Sequence, residues 1–427
     1  MKLTKFELKN FRGYQNATID FSNFSTIVGI NDSGKSTIFE ALDIFFDNTK
    51  FDGSDRNIKH LDQSVELIAH FKDLPDEITI ESVKTNIKSE FLTCDNAFVL
   101  KKVFTSDSAK FSEFVVADMP DVEDIEKIHS LKIKDLRKKV SELGITLENV
   151  DQRVSSELRQ TIFQELQKVN TLAVKEIELR SEDGKWISQE LHKELPLYQL
   201  FKADRENSDG DNEVHDPIKA IVKSTLSTNT DLQDKLTTVF EEVKSEVTKT
   251  TDATLNLLKS MNTELANSLN AECASPKWET LFKPSLKTDE SIPLNKRGSG
   301  VRRLVLLNFF RAEAQRRFSE ISDNKVGNII YAFEEPETAL HPKFQRILLD
   351  SFEDMVSTPG VQIMITTHSP DIANSVPKNG IRLVKRGDIG NAHIIYGQKA
   401  VSNIVHQIGL PPAIKLYDDQ LSVLFVL

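Results

Sequence analysis

Cysteine is scarce in this sequence: the 427 residues include only Cys94 and Cys273. The two lie far apart and neither belongs to a Cys-x-x-Cys pair, which argues against a disulfide framework and against a thiolate metal site. Two unpaired thiols are typical of a protein that resides in a reducing cytoplasm.

Long apolar runs and an excess of positive charge are lacking as well. No stretch of about 18 apolar residues occurs, and the N-terminal lysines are not followed by the apolar core of a signal peptide. We therefore predict a cytoplasmic protein that makes no membrane contact. The net charge is −11, whereas a protein that coats nucleic acid by charge alone would be basic. Any contact with DNA would need a local patch.

The spacing of apolar residues and the share of charged residues change along the chain, and these changes predict an α/β protein with a helical insertion. Residues 1–120 carry the alternating apolar positions of half-buried strands, around one helix. Residues 121–275 are charged and mainly helical in their spacing, with a return to the first domain near 176–205. Strands and helices alternate again over 276–400. We interpret 401–427 as a linker and the start of a further domain.

Within the insertion, three segments have the spacing of amphipathic helices. Residues 121–143 and 154–169 are nearly free of glycine and proline, and each predicts a helix. The segment 217–271 has the length for a hairpin of two long helices.

Residues 29–36 (GINDSGKS) match the P-loop pattern G-x-x-x-x-G-K-[ST] in full. Glycines allow backbone N–H groups to surround phosphate oxygens, and the following helix directs its positive end at them. Lys35 would bind the β- and γ-phosphates of ATP, and the Ser36 hydroxyl would bind Mg²⁺. A chance match in a flexible turn is the alternative, but a strand precedes this loop and a helix follows it. The candidate nucleotide-binding residues are Asn31, Asp32, Ser33, Gly34, Lys35, Ser36 and Thr37.

Two apolar segments further along end in side chains suited to hydrolysis. Residues 328–335 end in Glu334, which would hold Mg²⁺, and Glu335, which would orient and deprotonate the attacking water. Residues 363–369 lead to His368, whose imidazole would reach a γ-phosphate. Alone, the acidic pair would be plain surface and the histidine structural. The P-loop in the same chain favours the catalytic interpretation.

A second glycine cluster, 297–300 (RGSG), follows the insertion and precedes the acidic strand. Alone it would be a loop that starts a helix, with Ser299 as the cap. The order of these motifs resembles that of ABC-type ATPase heads, and most of all the RecF, SMC and OLD (overcoming lysogenization defect) group. Residues 8–14 (LKNFRGY), 334–342 (EEPETALHP) and 367–370 (THSP) resemble the start, the Walker B and D-loop segment and the H-loop of those heads.

This resemblance implies a fold and a mechanism. The fold would be an ABC-type P-loop ATPase head, with a mixed parallel sheet, an antiparallel meander and an α-helical dimerisation insertion. Arg12 would lie near the nucleotide phosphates. Ser299 and Gly300 of a second copy would cap ATP bound by the first, so that ATP holds a homodimer or a higher even oligomer together. Hydrolysis promoted by Glu335 and His368 would release it.

The resemblance also implies function, with alternatives. The first is an OLD-like ATPase that gates a DNA-directed nuclease in antiphage defence, the nuclease being a Toprim domain beyond residue 427 or a separate subunit. Residues 420–427 look like an apolar strand, which favours a longer protein over a final edge strand. The second is a RecF-like repair or recombination ATPase without a nuclease. A transporter motor is disfavoured because the insertion is too long. Acidic Toprim motifs downstream, or a neighbouring nuclease gene, would favour the first.

Overall fold

The computed structural model describes residues 1–80, 83–146, 150–179, 185–202, 230–261, 328–338, 340–385 and 393–396, with a few single positions besides. Contacts divide the chain into two compact units, and we call them the head unit and the insert unit. The head unit comprises Met1–Arg205 and Arg311–Leu427, and the insert unit comprises Glu206–Phe310. The stretch 121–175, predicted as part of the insertion, thus lies with the head unit, as does 176–205, where a return to the first domain was predicted.

The strands and helices of the described residues follow in chain order. The strands are β1 (Lys2–Phe11), β2 (Tyr14–Asp20), β3 (Phe24–Val28), β4 (Val65–Lys72), β5 (Ile78–Ile80), β6 (Val83–Thr85), β7 (Phe98–Phe104), β8 (Ser112–Pro120), β9 (Leu172–Glu178), β10 (Leu197–Phe201), β11 (Ile329–Glu334), β12 (Val361–Thr367), β13 (Ile381–Lys385) and β14 (His393–Tyr396). The helices are α1 (Lys35–Phe45), α2 (Ile133–Glu142), α3 (Ser155–Val169), α4 (Lys185–Glu194), α5 (Thr230–Met261), α6 (Pro342–Val356) and α7 (Pro370–Ser375).

One sheet of the head unit is an antiparallel meander in the order β2-β1-β4-β7-β8-β9. Buried and more exposed residues alternate along its strands, because one face of the sheet packs inward and the other meets solvent. In β4, for example, Leu67, Ala69 and Phe71 are fully buried. This is the alternation that the sequence shows over the same residues.

The other sheet of the head unit has the order β10-β11-β12-β3-β13-β14. All neighbours in it are parallel except β13 and β14, which form an antiparallel hairpin. Every residue of β3 and of β12 is buried, as expected for central parallel strands that are covered on both faces. The carboxyl ends of β3, β11 and β12 meet at one edge of the sheet, the usual place for a ligand in such folds. The predicted α/β class with a mixed sheet and a meander is confirmed.

Helix α1 contacts both sheets and forms the centre of the head. Phe45 of α1 packs against Phe6 of the meander with ring centroids 5.7 Å apart. On the side of the parallel sheet, the hydroxyl of Tyr198 donates to the carbonyl oxygen of Phe39 at 2.9 Å. The P-loop that precedes α1 is therefore anchored by the hydrophobic core of the whole unit.

The prediction of one helix over 121–143 is wrong in its first half. A 3-10 helix spans Ile125–Ser130, and α2 begins only at Ile133. Ile125 and Ile128, three residues apart, are both fully buried, and a repeat of three is that of the 3-10 helix. The prediction over 154–169 is confirmed by α3.

The described part of the insert unit consists mainly of α5, a helix of 32 residues. Val239, Val243 and Val247 recur every four residues along it, and all three are more than half exposed. The helix thus presents an apolar stripe, because residues four apart share one face. Among the described residues, no helix is both long enough and apolar enough to cross a bilayer.

Candidate functional site

The P-loop begins where β3 ends, and its first glycine is sterically required. The N–H of Gly29 donates to the carbonyl oxygen of Thr367 in the neighbouring strand at 3.3 Å. A Cβ at Gly29 would lie 2.5 Å from Oγ of Ser33 and 2.9 Å from the carbonyl oxygen of Val384. Any larger residue would therefore push the loop away from the sheet.

The rest of the loop turns through left-handed backbone conformations. Asp32 has φ of 58° and Gly34 has φ of 102°. The hydroxyl of Tyr14 donates to the carbonyl oxygen of Gly34 at 3.0 Å, which fixes the turn against the meander. α1 then begins at Lys35 with no acidic residue in its first turn. Its positive end is thus available to an anion.

Most of the predicted nucleotide-binding side chains lie on this turn. Asn31, Asp32 and Ser36 are exposed and Thr37 is half-buried. The hydroxyl of Ser33 is buried and has no hydrogen-bond partner among the described residues. A buried hydroxyl without a partner is costly in a finished core but suits a loop that surrounds a ligand.

The Lys35 side chain is buried and folded back over the loop. Its ammonium donates to the carbonyl oxygens of Gly29 and Ile30 at 2.9 and 3.0 Å. It also lies 3.7 Å from Oε1 of Glu335. Burial lowers the pKa of Lys35, and the charge of Glu335 opposes that shift. The P-loop lysine and the second acidic residue thus already form an ion pair.

The two acidic residues leave β11 in different directions. Glu335 has φ of 41°, and its N–H donates to both the carbonyl oxygen (3.0 Å) and the hydroxyl (3.1 Å) of Thr366. The carboxyl of Glu334 is largely buried, and its Oε1 has no hydrogen-bond partner among the described residues. Burial raises the pKa of Glu334 to about 7, Lys202 opposes the shift and Glu40 adds to it. The site thus contains one carboxylate paired with a cation and one that is desolvated.

His368 follows β12 directly and faces the second carboxylate. Its Nδ1 lies 3.1 Å from Oε1 of Glu335, the oxygen that also faces Lys35. Because β11 and β12 are parallel neighbours, their carboxyl ends place the two side chains side by side. The structure therefore brings Lys35, Glu335 and His368 together around a single oxygen atom.

Arg12 lies in the turn between β1 and β2, with φ of 43°. Its Nε donates to Oδ1 of Asp55 at 2.8 Å, and its Nη1 is bound by the carboxylate of Glu40 in α1. The ammonium of Lys202, next to the end of β10, binds the same carboxylate. Arg12 is thus linked to the helix that carries the P-loop serine.

Ser299 and Gly300, the predicted cap from a second copy, lie outside the described residues. Sequence reasoning assigned no role to Glu337, Thr367, Glu40 or Lys202, which surround the site. Only Lys202 carries a sequence signal that could have indicated a role. It stands at the end of an apolar segment and precedes a polar loop.

Mg²⁺ fits the residues that the sequence proposed for it. Among the described residues, no group of three or more His, Cys, Asp or Glu side chains is arranged to hold a metal alone. Mg²⁺ needs no such group, because it usually keeps several waters and takes one or two protein ligands beside the phosphates. The partnerless Oε1 of Glu334 and the exposed Ser36 hydroxyl are oxygen donors of that kind.

Comparison with known families decides what kind of protein carries this site. A family model, AAA_15, described as an AAA ATPase domain, matches residues 1–373. The chain belongs to this family. AAA_15 membership confirms that the protein is a nucleotide-binding P-loop ATPase.

Two curated proteins resemble this AAA_15 chain. OLD nuclease from Thermus scotoductus is 31% identical over 116 residues, which are 27% of this chain and 20% of that protein. Endonuclease GajA from Bacillus cereus is 24% identical over 375 residues, which are 83% of this chain and 53% of that protein. The chain thus spans about half the length of GajA and a fifth of the OLD nuclease. The predicted resemblance to OLD-type ATPases is confirmed.

Solved structures of SMC heads are similar at a low level. The SMC head domain from Thermotoga maritima is 12% identical with a TM-score of 0.37, and covers 93% of this chain and 100% of its own. An SmcHead bound to the C-winged helix domain of ScpA is 14% identical with a TM-score of 0.41, and covers 94% and 100%. Likenesses at this level carry no functional inference for the AAA_15 chain.

Proposed function

We propose that the head unit binds ATP with Mg²⁺ at the P-loop and hydrolyses it with Glu335 as the general base. The observation that supports this most directly is the meeting of Lys35 and His368 at Oε1 of Glu335. Phosphoryl transfer needs little covalent chemistry from a protein, so positioning and electrostatic stabilisation dominate. Lys35 and Glu335 supply a cation and a carboxylate for such a reaction, and His368 lies beside that carboxylate.

Each residue has a defined task in this proposal. The ammonium of Lys35 moves from the loop carbonyls to the β- and γ-phosphates, which releases Glu335 to accept a proton from the attacking water. His368 holds the carboxylate and contacts the γ-phosphate. Ser36 and Glu334 would hold Mg²⁺, directly or through water, and a metal there would supply positive charge next to the phosphate oxygens.

We further propose that ATP joins two copies of the chain, with Ser299 and Gly300 of one copy capping the nucleotide of the other. The support is the motif order, together with the exposed stripe of Val239, Val243 and Val247 on α5. An apolar stripe on a long helix is a surface that a second helix covers.

The ATPase cycle would control cleavage of DNA in antiphage defence. The support is that both curated relatives are named as nucleases, OLD nuclease and Endonuclease GajA, and that this chain matches only part of each. The ATPase would thus be the gating part of a larger protein or assembly in the cytoplasm. DNA and a nuclease domain or subunit are the implied partners.

The test of the ATPase proposal compares the wild type with Lys35→Ala and Glu335→Gln. We expect Lys35→Ala to weaken ATP binding by about tenfold or more, equivalent to about 1.4 kcal/mol. Glu335→Gln should bind ATP, stay assembled and turn over about 100-fold more slowly. Glu353→Gln, an exposed change on α6, is the control. Normal turnover by Glu335→Gln would remove that residue from the role of base.

The gating proposal needs the full-length protein and plasmid DNA. Cleavage that changes with ATP, and that Lys35→Ala uncouples, would support a gated nuclease. ATP turnover stimulated by DNA ends, without any cleavage and without a nuclease gene nearby, would favour the RecF-like alternative instead.

A further inference from the structure

Thr367, the last residue of β12, connects three loops of the site. Its carbonyl oxygen accepts from the N–H of Gly29 in the P-loop at 3.3 Å. Its hydroxyl donates to the carboxyl of Glu337, in the turn after the acidic pair. The same hydroxyl accepts from the N–H of Ser369 at 2.9 Å. One fully buried threonine thus joins the P-loop, the acidic turn and the histidine loop.

The preceding residue, Thr366, binds the same acidic turn at another point. Its hydroxyl and its carbonyl oxygen both accept from the N–H of Glu335. Successive side chains on a strand point to opposite faces. The two threonine hydroxyls therefore contact the turn from opposite faces of β12, one at Glu335 and the other at Glu337. The turn is thereby fixed at Glu335 and again at Glu337.

Glu337 is an unusual residue for a turn, because it is 4% exposed. Its Oε1 accepts from Thr367, whereas its Oε2 is buried and has no hydrogen-bond partner among the described residues. Burial raises the pKa of Glu337, and the hydrogen bond from Thr367 opposes the shift. Burying a carboxyl group is costly, so a turn that needed only a local cap would be served better by serine or asparagine.

His368 stands between the two ends of this network. Thr367 precedes it and is held by Glu337, while Ser369 follows it and is held by Thr367. The Ser369 hydroxyl also accepts from the N–H of Ile372 at 3.5 Å, at the start of α7. The main chain of His368 is therefore restrained on both sides, and its imidazole stays 3.1 Å from Glu335.

We propose that Glu337 and Thr367 are positioning residues for ATP hydrolysis, which set the distance between His368 and the carboxylate of Glu335. The inference rests on the proposed function, because it assumes that Glu335 and His368 act in the reaction. Neither Glu337 nor Thr367 touches the substrate in this account. Both act through the histidine, and a misplacement of about 1 Å can cost roughly 100-fold in rate.

The first test uses two changes at Thr367. Thr367→Val removes the hydroxyl at nearly equal volume, and we expect kcat for ATP to fall about 10- to 100-fold while KM changes less than about twofold. Thr367→Ser keeps the hydroxyl and should restore most of kcat. Thr161→Val, in which the lost hydroxyl donates to the carbonyl oxygen of Glu157 in α3, is the matched control and should leave kcat unchanged.

A second pair of variants separates the hydrogen bond from the charge of Glu337. Glu337→Gln retains an oxygen that accepts from Thr367 and should keep most of kcat, whereas Glu337→Leu should behave like Thr367→Val. Equal loss in both Glu337 variants with normal kcat in Thr367→Val would overturn the proposal, because Glu337 would then act by its charge.

The decisive measurement combines Thr367→Val with His368→Ala and follows a single turnover. If Thr367 acts through the histidine, the double variant hydrolyses ATP as fast as His368→Ala alone, because coupled residues are not additive. A further multiplicative loss would contradict the proposal and indicate a merely structural role. If Glu335→Gln and His368→Ala both keep normal turnover, the proposed function itself fails. If they are slow and Thr367→Val is normal, this inference alone fails.

Discussion

The carboxylate of Glu40 binds the guanidinium of Arg12 and holds it against the helix that begins at the P-loop. Glu40 lies one turn beyond Ser36 in α1, and it binds Lys202 at the same time. Asp55 binds the other side of Arg12 at 2.8 Å. The arginine that the motif resemblance directs toward phosphate is thus shared between two carboxylates, and a nucleotide that bound Arg12 would compete with them.

This competition predicts opposite effects for two substitutions. Arg12→Ala should weaken ATP binding, whereas Glu40→Gln should strengthen it a few-fold, because it releases Arg12 for the phosphates. A fluorescent ATP analogue titrated at low salt would measure both affinities. Glu66→Gln, which removes the partner of Lys9 and Lys101 in the meander, is the matched control. Unchanged affinity in both test variants would show that Arg12 makes no contact with the nucleotide.

Gly34 should tolerate alanine poorly, for two separable reasons. Its φ of 102° disfavours any L side chain, and an added Cβ would lie 3.0 Å from the hydroxyl of Tyr14. Gly144→Ala is the control for the first reason, since its φ is 64° and an added Cβ meets nothing within 4 Å. We expect Gly144→Ala to cost about 1–2 kcal/mol in the free energy of unfolding, and Gly34→Ala to cost more and to lose ATP binding. Urea unfolding of both variants would measure the two losses in the free energy of unfolding. Equal losses would contradict the proposed clash between the added Cβ and Tyr14.

Gln362 joins the two sheets of the head unit. Its Oε1 accepts from the N–H of Leu3 and its Nε2 donates to the carbonyl oxygen of Leu3, both at 2.9 Å. Gln362→Leu would leave two buried backbone groups without partners, so we expect a loss of about 2–4 kcal/mol in the free energy of unfolding. Gln152→Leu, at an exposed position, should change stability by less than about 0.5 kcal/mol. A Gln362→Leu protein as stable as the wild type would show that the sheets need no such link.

The buried His129 predicts a loss of stability in mild acid. Burial lowers its pKa to about 3, and the nearby charge of Arg159 adds to the shift. In the unfolded chain the pKa is about 6.5, so the unfolded state gains a proton below that pH while the folded state does not. The free energy of unfolding should therefore fall as the pH drops from 6.5 toward 3.

The check is His129→Gln, whose amide can still donate to the carbonyl oxygen of Glu90 as the imidazole does at 2.9 Å. Between pH 6.5 and 5, the wild type should lose about 2 kcal/mol more than this variant, one proton's share of the linkage. Parallel pH dependences in the two proteins would mean that His129 is protonated when folded.

The sequence predicted the parts of this molecule whose signals are local. β4 and β12 were recognised because an exposed face and a doubly covered strand leave different apolar patterns. The P-loop was recognised because phosphate binding demands glycine, lysine and a hydroxyl at fixed spacing. Residues 328–335 and 363–369 were recognised as apolar segments that lead to Glu335 and His368, and the parallel pairing of β11 with β12 brings the two side chains together.

The remaining features depend on contacts between distant segments. The link from Gln362 to Leu3 joins residues 359 positions apart, and no periodicity encodes it. Thr367 and Glu337 meet only because two turns are adjacent in space.

The break before α2 was missed because charge and spacing over 121–143 suit both an α-helix and a 3-10 helix followed by an α-helix.

The register of β10 beside β11 has a mechanical consequence. Phe201 pairs with Phe333, so Lys202, which follows β10, lies about one strand spacing of 4.8 Å from the strand that ends in Glu334. A pull on the chain at this point would load β10 in shear along β11, and all the hydrogen bonds between the two strands would resist together. The end of β10 beside the carboxylates is therefore held by the whole length of its pairing with β11.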